Sequence, residues 1–217
     1  VRFVVTAGPT REAIDPVRFI SNRSSGKMGY AIAEAALAEK HEVTLISGPA
    51  AIAPPRGVKL LAITSADELY RAVHRSLGRC DVLVMCAAVS DYKPATIAPR
   101  KMKKRTTTFA LKLVPTRDIL ASLPKHRRYL VIGFAAETHD LKINAQKKLR
   151  AKNCDAIVAN DVSGSETGME SDENEVAIFF RGGEIKKISR ARKKIVAREL
   201  VKIFAKMFEK GLTKKSW

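Results

Sequence analysis

The residues with most chemistry in them lie between Thr6 and Gly29, where TAGPTREAIDPVRFISNRSSGKMG joins an apolar strand (Phe3 to Val5) to an alanine-rich helix. The connection runs to about twenty polar, glycine-bearing residues where a few normally suffice, which marks a binding loop. Ser24, Ser25, Gly26 and Gly29 stand at the mouth of the helix. A helix amino terminus exposes unpaired N–H groups and partial positive charge, so the ligand expected there is a phosphate or a carboxylate. Lys148 and Lys152, four apart on one face of a later predicted helix, are placed to meet phosphates together. The familiar phosphate loops are absent. The Gly26–Lys27 pair has Ser21 where a P-loop needs glycine and Met28 where it needs Ser or Thr, and neither GxGxxG nor a YxxxK pair occurs.

The elements that must position these residues alternate along the chain. After the first strand and the helix from Gly26 to Ala38 come strands at 42 to 47 and 58 to 63, then a helix opened by the capping box Ser65 to Glu68. DVLVMCAAV (81 to 89) has the continuous apolar run of a strand buried on both faces. Further strands are expected at 109 to 114, 129 to 136 and 154 to 159, with a helix near Asp140 to Lys152. VAIFFRGGEIKKIS turns at Gly182–Gly183 as a hairpin, preceded by the polar loop SGSETGMESDENE, and a last helix carries Val196, Leu200, Ile203, Phe204 and Met207 as an apolar stripe. The pattern predicts an α/β fold: a doubly wound, Rossmann-like, mostly parallel sheet with a C-terminal β-hairpin and helix, in one domain spanning residues 1–217. In such sheets ligands sit beyond the carboxyl ends of the strands where the order reverses, so the Thr6 loop, AAVSDYKP and the end of YLVIGFAAE are expected to meet in one crevice.

The net charge of +18 resembles a nucleic-acid signature, but two segments hold nearly all of it. Residues 93–105 carry +6 and 186–217 carry +10, while 1–92 carry +2 and 106–185 are balanced. In the last helix Lys193, Lys194, Arg198, Lys202 and Lys206 occupy faces other than the apolar stripe and are expected to form a solvated basic surface. No aromatic residues interleave these lysines for base stacking, which argues against nucleic acid as a partner. No run is long enough to span a bilayer and no leader precedes the first strand, so a cytoplasmic protein without membrane contact is expected. Val1 is not methionine, which leaves room for an amino-terminal neighbour. Cys80, Cys86 and Cys154 have no metal-ligand spacing and are expected to be buried, reduced thiols, and the four scattered histidines form no metal motif, so no protein metal site is predicted.

Thr6 to Gly29, CAAVSDYKP (86 to 94), KMKK (101 to 104), GFAAET (133 to 138), AQKKLRAKN (145 to 153) and ANDV (159 to 162) together resemble phosphopantothenoylcysteine synthetase in its bacterial, CTP-dependent form. The resemblance covers essentially the whole chain. It implies a cytoplasmic ligase of coenzyme A biosynthesis that joins 4′-phosphopantothenate to L-cysteine through an acyl-cytidylate. CTP is consumed to CMP and pyrophosphate, Mg²⁺ accompanies the triphosphate, and ATP is the alternative nucleotide. It further implies a homodimer, and a phosphopantothenoylcysteine decarboxylase that is separate from this chain or trimmed away from it.

Residue by residue, the resemblance makes Lys101 a catalytic group of the first half-reaction and Asn22 the holder of the acyl intermediate. Arg18 corresponds to an arginine that reaches substrate phosphate in the neighbouring subunit. Met85, Cys86 and Ala87 correspond to the stretch beneath the cytosine, with Ala87 and Asp91 also touching substrate. Asp91, Lys101, Arg117, Asp118, Ile119, Leu120, Phe134, Lys148 and Lys152 complete the implied nucleotide contacts. VPTRDIL departs from the pattern, because Arg117 stands where proline is usual before the Asp–Ile pair, and Asp118 is there an alternative helix cap. Two other readings stay open on the residues alone: a Rossmann-like NAD(P)-dependent oxidoreductase and a basic nucleic-acid-binding module.

Overall fold

In the computed structural model, which describes residues 1–104, 106, 108–137, 139–161 and 171–213, the first strand alternates strictly. Phe3, Val5 and Ala7 of β1 (Arg2–Ala7) pack on one side of the sheet and Val4 on the other. The long loop contains two short strands, β2 (Arg11–Ala13) and β3 (Phe19–Ser21), paired with each other. Then follow α1 (Lys27–Ala38), β4 (Glu42–Ser47), β5 (Lys59–Ala62), α2 (Ala66–Ser76) and β6 (Val82–Met85). The rest of the chain supplies β7 (Tyr92–Pro94), β8 (Leu113–Pro115), β9 (Leu130–Glu137), α3 (Leu141–Ala151) and β10 (Ala156–Asp161). It ends in β11 (Glu173–Phe180), β12 (Ile185–Arg192) and α4 (Lys193–Thr213).

The main sheet has the order β12-β11-β10-β9-β6-β1-β4-β5. Its six strands from β10 to β5 are parallel, and β11 and β12 close one side antiparallel. The chain winds outward from β1 to β4 and β5, then returns to lay β6 on the other side of β1. The order therefore reverses between β1 and β6, where a doubly wound sheet opens its crevice. Helices α1 and α4 cover the face carrying Val5 and Val84, and α2 and α3 cover the face carrying Val4 and Leu83. Val196, Leu200 and Phe204 of α4 are fully buried, so truncating Leu200 to alanine is expected to cost about 2–5 kcal/mol. No helix among the described residues is long and apolar enough to cross a membrane.

Two expectations need correction. Residues 109–114 do not form a sheet strand: only Leu113–Pro115 is extended, and it pairs antiparallel with β7 in a ribbon outside the main sheet. Phe109 and Leu113 are exposed there, so the apolar alternation of FALKLV has no core beneath it. The strand predicted over 81–89 stops at Met85, because beyond it the Cys86 and Ala87 N–H groups both turn to Thr6 Oγ1. The Ser65 cap is present, its hydroxyl accepting from Glu68 N–H, but Glu68 reaches back to Thr64 N–H. Buried Glu12, from the long loop, takes the Ala66 N–H at 2.9 Å. The polar loop predicted from Ser163 lies outside the described residues as far as Glu170, as do Val162 and Thr138 of two quoted motifs.

Candidate active site

The floor of the site is a seam between the loops that leave β1 and β6. Thr6 Oγ1 accepts from both Cys86 and Ala87 N–H at 3.1 Å. Beyond it Ala88 N–H donates to Gly8 and Thr10 N–H to the Ala88 carbonyl, while Ser90 N–H donates to Thr10 Oγ1. The Asn22 amide closes the seam, donating from Nδ2 to the same Ala88 carbonyl at 2.8 Å. These bonds fix two irregular segments whose main-chain groups would otherwise need water. They also set the Asn22 side chain at the edge of a cleft of about 550 Å³.

One wall of the cleft is the amino terminus of α1. Gly26 sits at φ 80°, a left-handed conformation that glycine adopts without penalty, and its N–H donates to Ser24 Oγ. Gly29 brings the helix hard against β1: a Cβ there would lie 2.6 Å from that of Ala7. Ser24, Gly26, Lys27, Met28 and Gly29 line the cleft. The phosphate seat expected from SSGKMG therefore opens into the same space as Asn22, Met85, Cys86 and Ala87.

The opposite wall comes from 116–120, β9 and α3. Asp118, Ile119, Leu120, Phe134, Lys148 and Lys152 all border it. Lys148 Nζ donates to the Phe134 carbonyl at 2.8 Å, and burial pushes its pKa down from the ordinary lysine value. Lys152, one residue past the end of α3, pairs with Asp118. Burial pushes the Asp118 carboxyl up, but its hydrogen bonds to Lys152 and to Ala121 N–H outweigh that and hold it below its usual range. Asp118 thus caps the turn that follows, as the sequence alternative had it, and also joins the cleft. Asp91 is exposed at the rim. Arg117 borders the cleft too, but its guanidinium lies over the Tyr70 ring, 4.0 Å from Asp67, on the α2 side.

Of the residues carried over from the resemblance, Arg18 and Lys101 do not border the cleft, and neither does Ser25 of the expected phosphate seat. Arg18 donates from Nε and Nη2 to the carboxylate of buried Asp15, and Nη2 also reaches the Met102 carbonyl at 2.7 Å. Met102 N–H returns to Asp15 Oδ2, and Ala98 N–H donates to the Ile14 carbonyl. The basic segment that carries Lys101 is thereby tied to the loop that carries Arg18, and the two residues are brought near each other.

Sequence reading missed Asn160, Asn174 and Lys193, all of which line the cleft. Lys193 was assigned to a solvated face, yet it is only 6% exposed. It is the first residue of α4 and follows β12 without a loop, so the turn from strand to helix carries it inward. Nothing in its neighbours on the chain distinguishes it from the exposed lysines that follow. Cys86 also borders the cleft and is half-buried, where a buried thiol is expected from the sequence. Burial pushes its pKa up to about 12, so the thiol stays protonated and is a poor nucleophile. Among the described residues no three His, Cys, Asp or Glu side chains gather to hold a metal ion.

The chain is 45% identical over 204 residues to the coenzyme A biosynthesis bifunctional protein CoaBC of Bacillus subtilis, covering 93% of this chain and 50% of that protein. It is 43% identical over 203 residues to CoaBC of Vibrio vulnificus, covering 92% and 50%. The chain thus spans about half the length of the curated relatives it matches. A crystal structure of the C-terminal domain of CoaBC superposes with a TM-score of 0.82 at 42% identity, covering 96% of both chains. The match of residues 1–207 to the family model settles membership: the chain belongs to the DNA/pantothenate metabolism flavoprotein C-terminal domain family.

Proposed function

We propose that the protein is a phosphopantothenate–cysteine ligase of coenzyme A biosynthesis, using CTP to activate the carboxylate of 4′-phosphopantothenate. The observation that carries this reading is the meeting of Asn22, Asp91, Lys148 and Lys152 around one cleft whose floor is the Met85–Ala87 main chain. In the first half-reaction a substrate carboxylate oxygen attacks the α-phosphorus of CTP. The new P–O bond forms as the bond to the β-phosphate breaks, and pyrophosphate leaves with its electron pair. In the second, the cysteine amine attacks the acyl carbon, loses a proton, and expels CMP. Mg²⁺ accompanying the triphosphate, with Asp91 at the rim as the carboxylate that would meet it, would supply charge neutralisation.

The chain's own groups have definite tasks in this scheme. Asn22, held through Nδ2, presents Oδ1 as an acceptor to the incoming amine or a substrate hydroxyl. The α1 amino terminus supports phosphate oxygens, and Lys148 and Lys152 hold the nucleotide from the facing wall beside Phe134. Lys101 neutralises charge as pyrophosphate departs, and Arg18 reaches the substrate phosphate of a partner copy. Both of these tasks require the 98–102 segment or a second subunit to bring the side chain to the cleft. The neutral Cys86 thiol does not compete with the substrate amine.

The test is pyrophosphate release from CTP that depends on 4′-phosphopantothenate, followed by CMP and amide only when cysteine is added. No nucleotide consumption with CTP or ATP in the presence of that acid rejects the reading. In single turnover, Lys101→Gln should slow pyrophosphate release, and Asn22→Asp should spare that step and impair amide formation. Rates equal to the parent reject those two assignments.

A further inference from the structure

Lys193 is the one buried lysine among the described residues of the basic C-terminal segment. The eleven other basic residues in 186–217 gave no reason to separate it, but its side chain turns into the cleft and is almost wholly removed from solvent. Its position is fixed twice over: its N–H donates to the Asp172 carbonyl at 2.8 Å and its Nζ to the Ser171 carbonyl at 2.5 Å. Asp172 in turn meets Lys27 Nζ at 2.6 Å, so the first residue of α4 and the first residue of α1 are joined through residues 171–172. Burial pushes the Lys193 pKa down, the nearby Lys27 charge adds to that, and the Asp172 carboxylate acts in the opposite sense. Beside them Asn174, 3% exposed, borders the same space.

We propose that Lys193 and Lys27 form a polyphosphate seat, in which the last helix, packed beside α1 on the same face of the sheet, helps to hold the β- and γ-phosphates of the nucleotide and then the pyrophosphate it becomes. The assignment rests on the ligase reading and adds to it a residue and a division of labour. Lys27 and Lys193 share one carboxylate, Asp172, so the three groups keep a net positive charge in a half-desolvated site, and a polyanion bound between the two ammonium groups neutralises it. A monophosphate offers less charge and shorter reach than a diphosphate. The seat therefore discriminates CTP from CMP, favouring entry of the triphosphate and letting CMP leave. Lys148 and Lys152 on the facing wall remain available to the nucleoside monophosphate portion. Because α4 begins where β12 ends, the seat also couples nucleotide binding to the docking of the whole C-terminal helix.

Calorimetric titration of the full chain with CTP, CMP and inorganic pyrophosphate, none of which requires turnover, tests the seat. Lys193→Met, which keeps the buried stem, should weaken CTP and pyrophosphate about tenfold or more, the worth of a lost charge-assisted hydrogen bond, and leave CMP within about twofold. Lys27→Met, at a more exposed position, should give the same selective loss and stands in if Lys193→Met fails to fold. Lys193→Arg should recover part of the pyrophosphate affinity. Equal losses for CTP and CMP, no loss in either variant, or no pyrophosphate binding by the parent would each overturn the proposal. Selective loss in a protein that binds CTP but consumes none with 4′-phosphopantothenate would uphold the seat and reject the ligase. Ligation by the parent with unchanged titrations in both variants would do the reverse.

Discussion

Arg18 donates to the carbonyl of Met102, 84 residues further along the chain, over 2.7 Å. The contact is shared by Asp15, whose carboxylate receives Arg18 from one side and the Met102 N–H from the other. A loop that carries the proposed catalytic Lys101 is thus fastened to the loop that carries Asn22 by one buried acid. Asp15→Asn keeps the shape but removes the charge that holds the guanidinium. Amide exchange at Met102 should accelerate roughly tenfold or more, while amides of β1 and β6 exchange as in the parent. Unchanged exchange at Met102 would show that the loop is held by something else.

The same carboxylate sets an acid limit. The hydrogen bond from Arg18, opposed by burial and reinforced by the N–H groups of Met102, Val17 and Arg18, holds Asp15 well below the usual carboxylate range. A folded pKa below the unfolded one stabilises the fold above the unfolded value, about 3.9, and that contribution is lost as pH falls through the folded value. The 98–102 segment should therefore stay fastened below pH 4, where ordinary carboxylates protonate. Chemical shifts of the Met102 amide followed from pH 6 to pH 2 check this; a midpoint at the ordinary value would contradict it.

Gly29 tests the packing that seats the phosphate-binding end of α1. Its missing side chain would meet Ala7 Cβ at 2.6 Å and the Thr6 carbonyl oxygen at 3.0 Å. Gly29→Ala gains helix propensity but forces the helix off β1, and a net loss of about 1–3 kcal/mol is expected. A urea midpoint at or above that of the parent would mean that α1 shifts without cost. CTP affinity should fall along with stability, since Thr6 also anchors the Cys86 and Ala87 N–H groups.

Lys148 gives an alkaline limit to nucleotide binding. Burial lowers its pKa from the ordinary 10.5, with the Glu137 charge acting in the opposite sense. The ammonium is present below the shifted pKa and lost as pH rises through it, so CTP affinity should decline at a pH below 10.5. Lys148→Met should bind CTP about tenfold or more weakly at pH 7.5 and show no such decline. An identical alkaline limb in parent and variant would assign the titration to another group.

Much of this architecture was legible in the sequence for reasons that particular residues make plain. The apolar runs of β1 and β4, the stripe of α4 and the order of strands and helices are legible in residue type and spacing, and the long Thr6–Gly29 connection marked the site because such loops are uncommon. FALKLV misled because alternation reports a strand's fitness to pack and not whether a core lies under it. VLVMCAAV concealed its end because a threonine eighty residues earlier terminates the strand. Lys193 was hidden for a similar reason: local charge cannot show that a strand–helix junction turns one lysine inward while Lys194 and Lys202 turn outward to Glu34 and Glu39. Arg117 shows the opposite case, since its position on the chain is at the cleft while its head is drawn away by Tyr70.

The strand β12 forms one margin of the main sheet, with Lys186, Lys187, Arg190 and Arg192 exposed along it. Among the described residues no strand pairs with the outer side of β12, and such a margin invites a further strand, for which in a crowded solution the readiest donor is another copy of the same chain. Two such margins brought together would set cation against cation along their length. The lysines and arginines exposed on β12 thus disfavour edge-to-edge pairing of two copies along this margin.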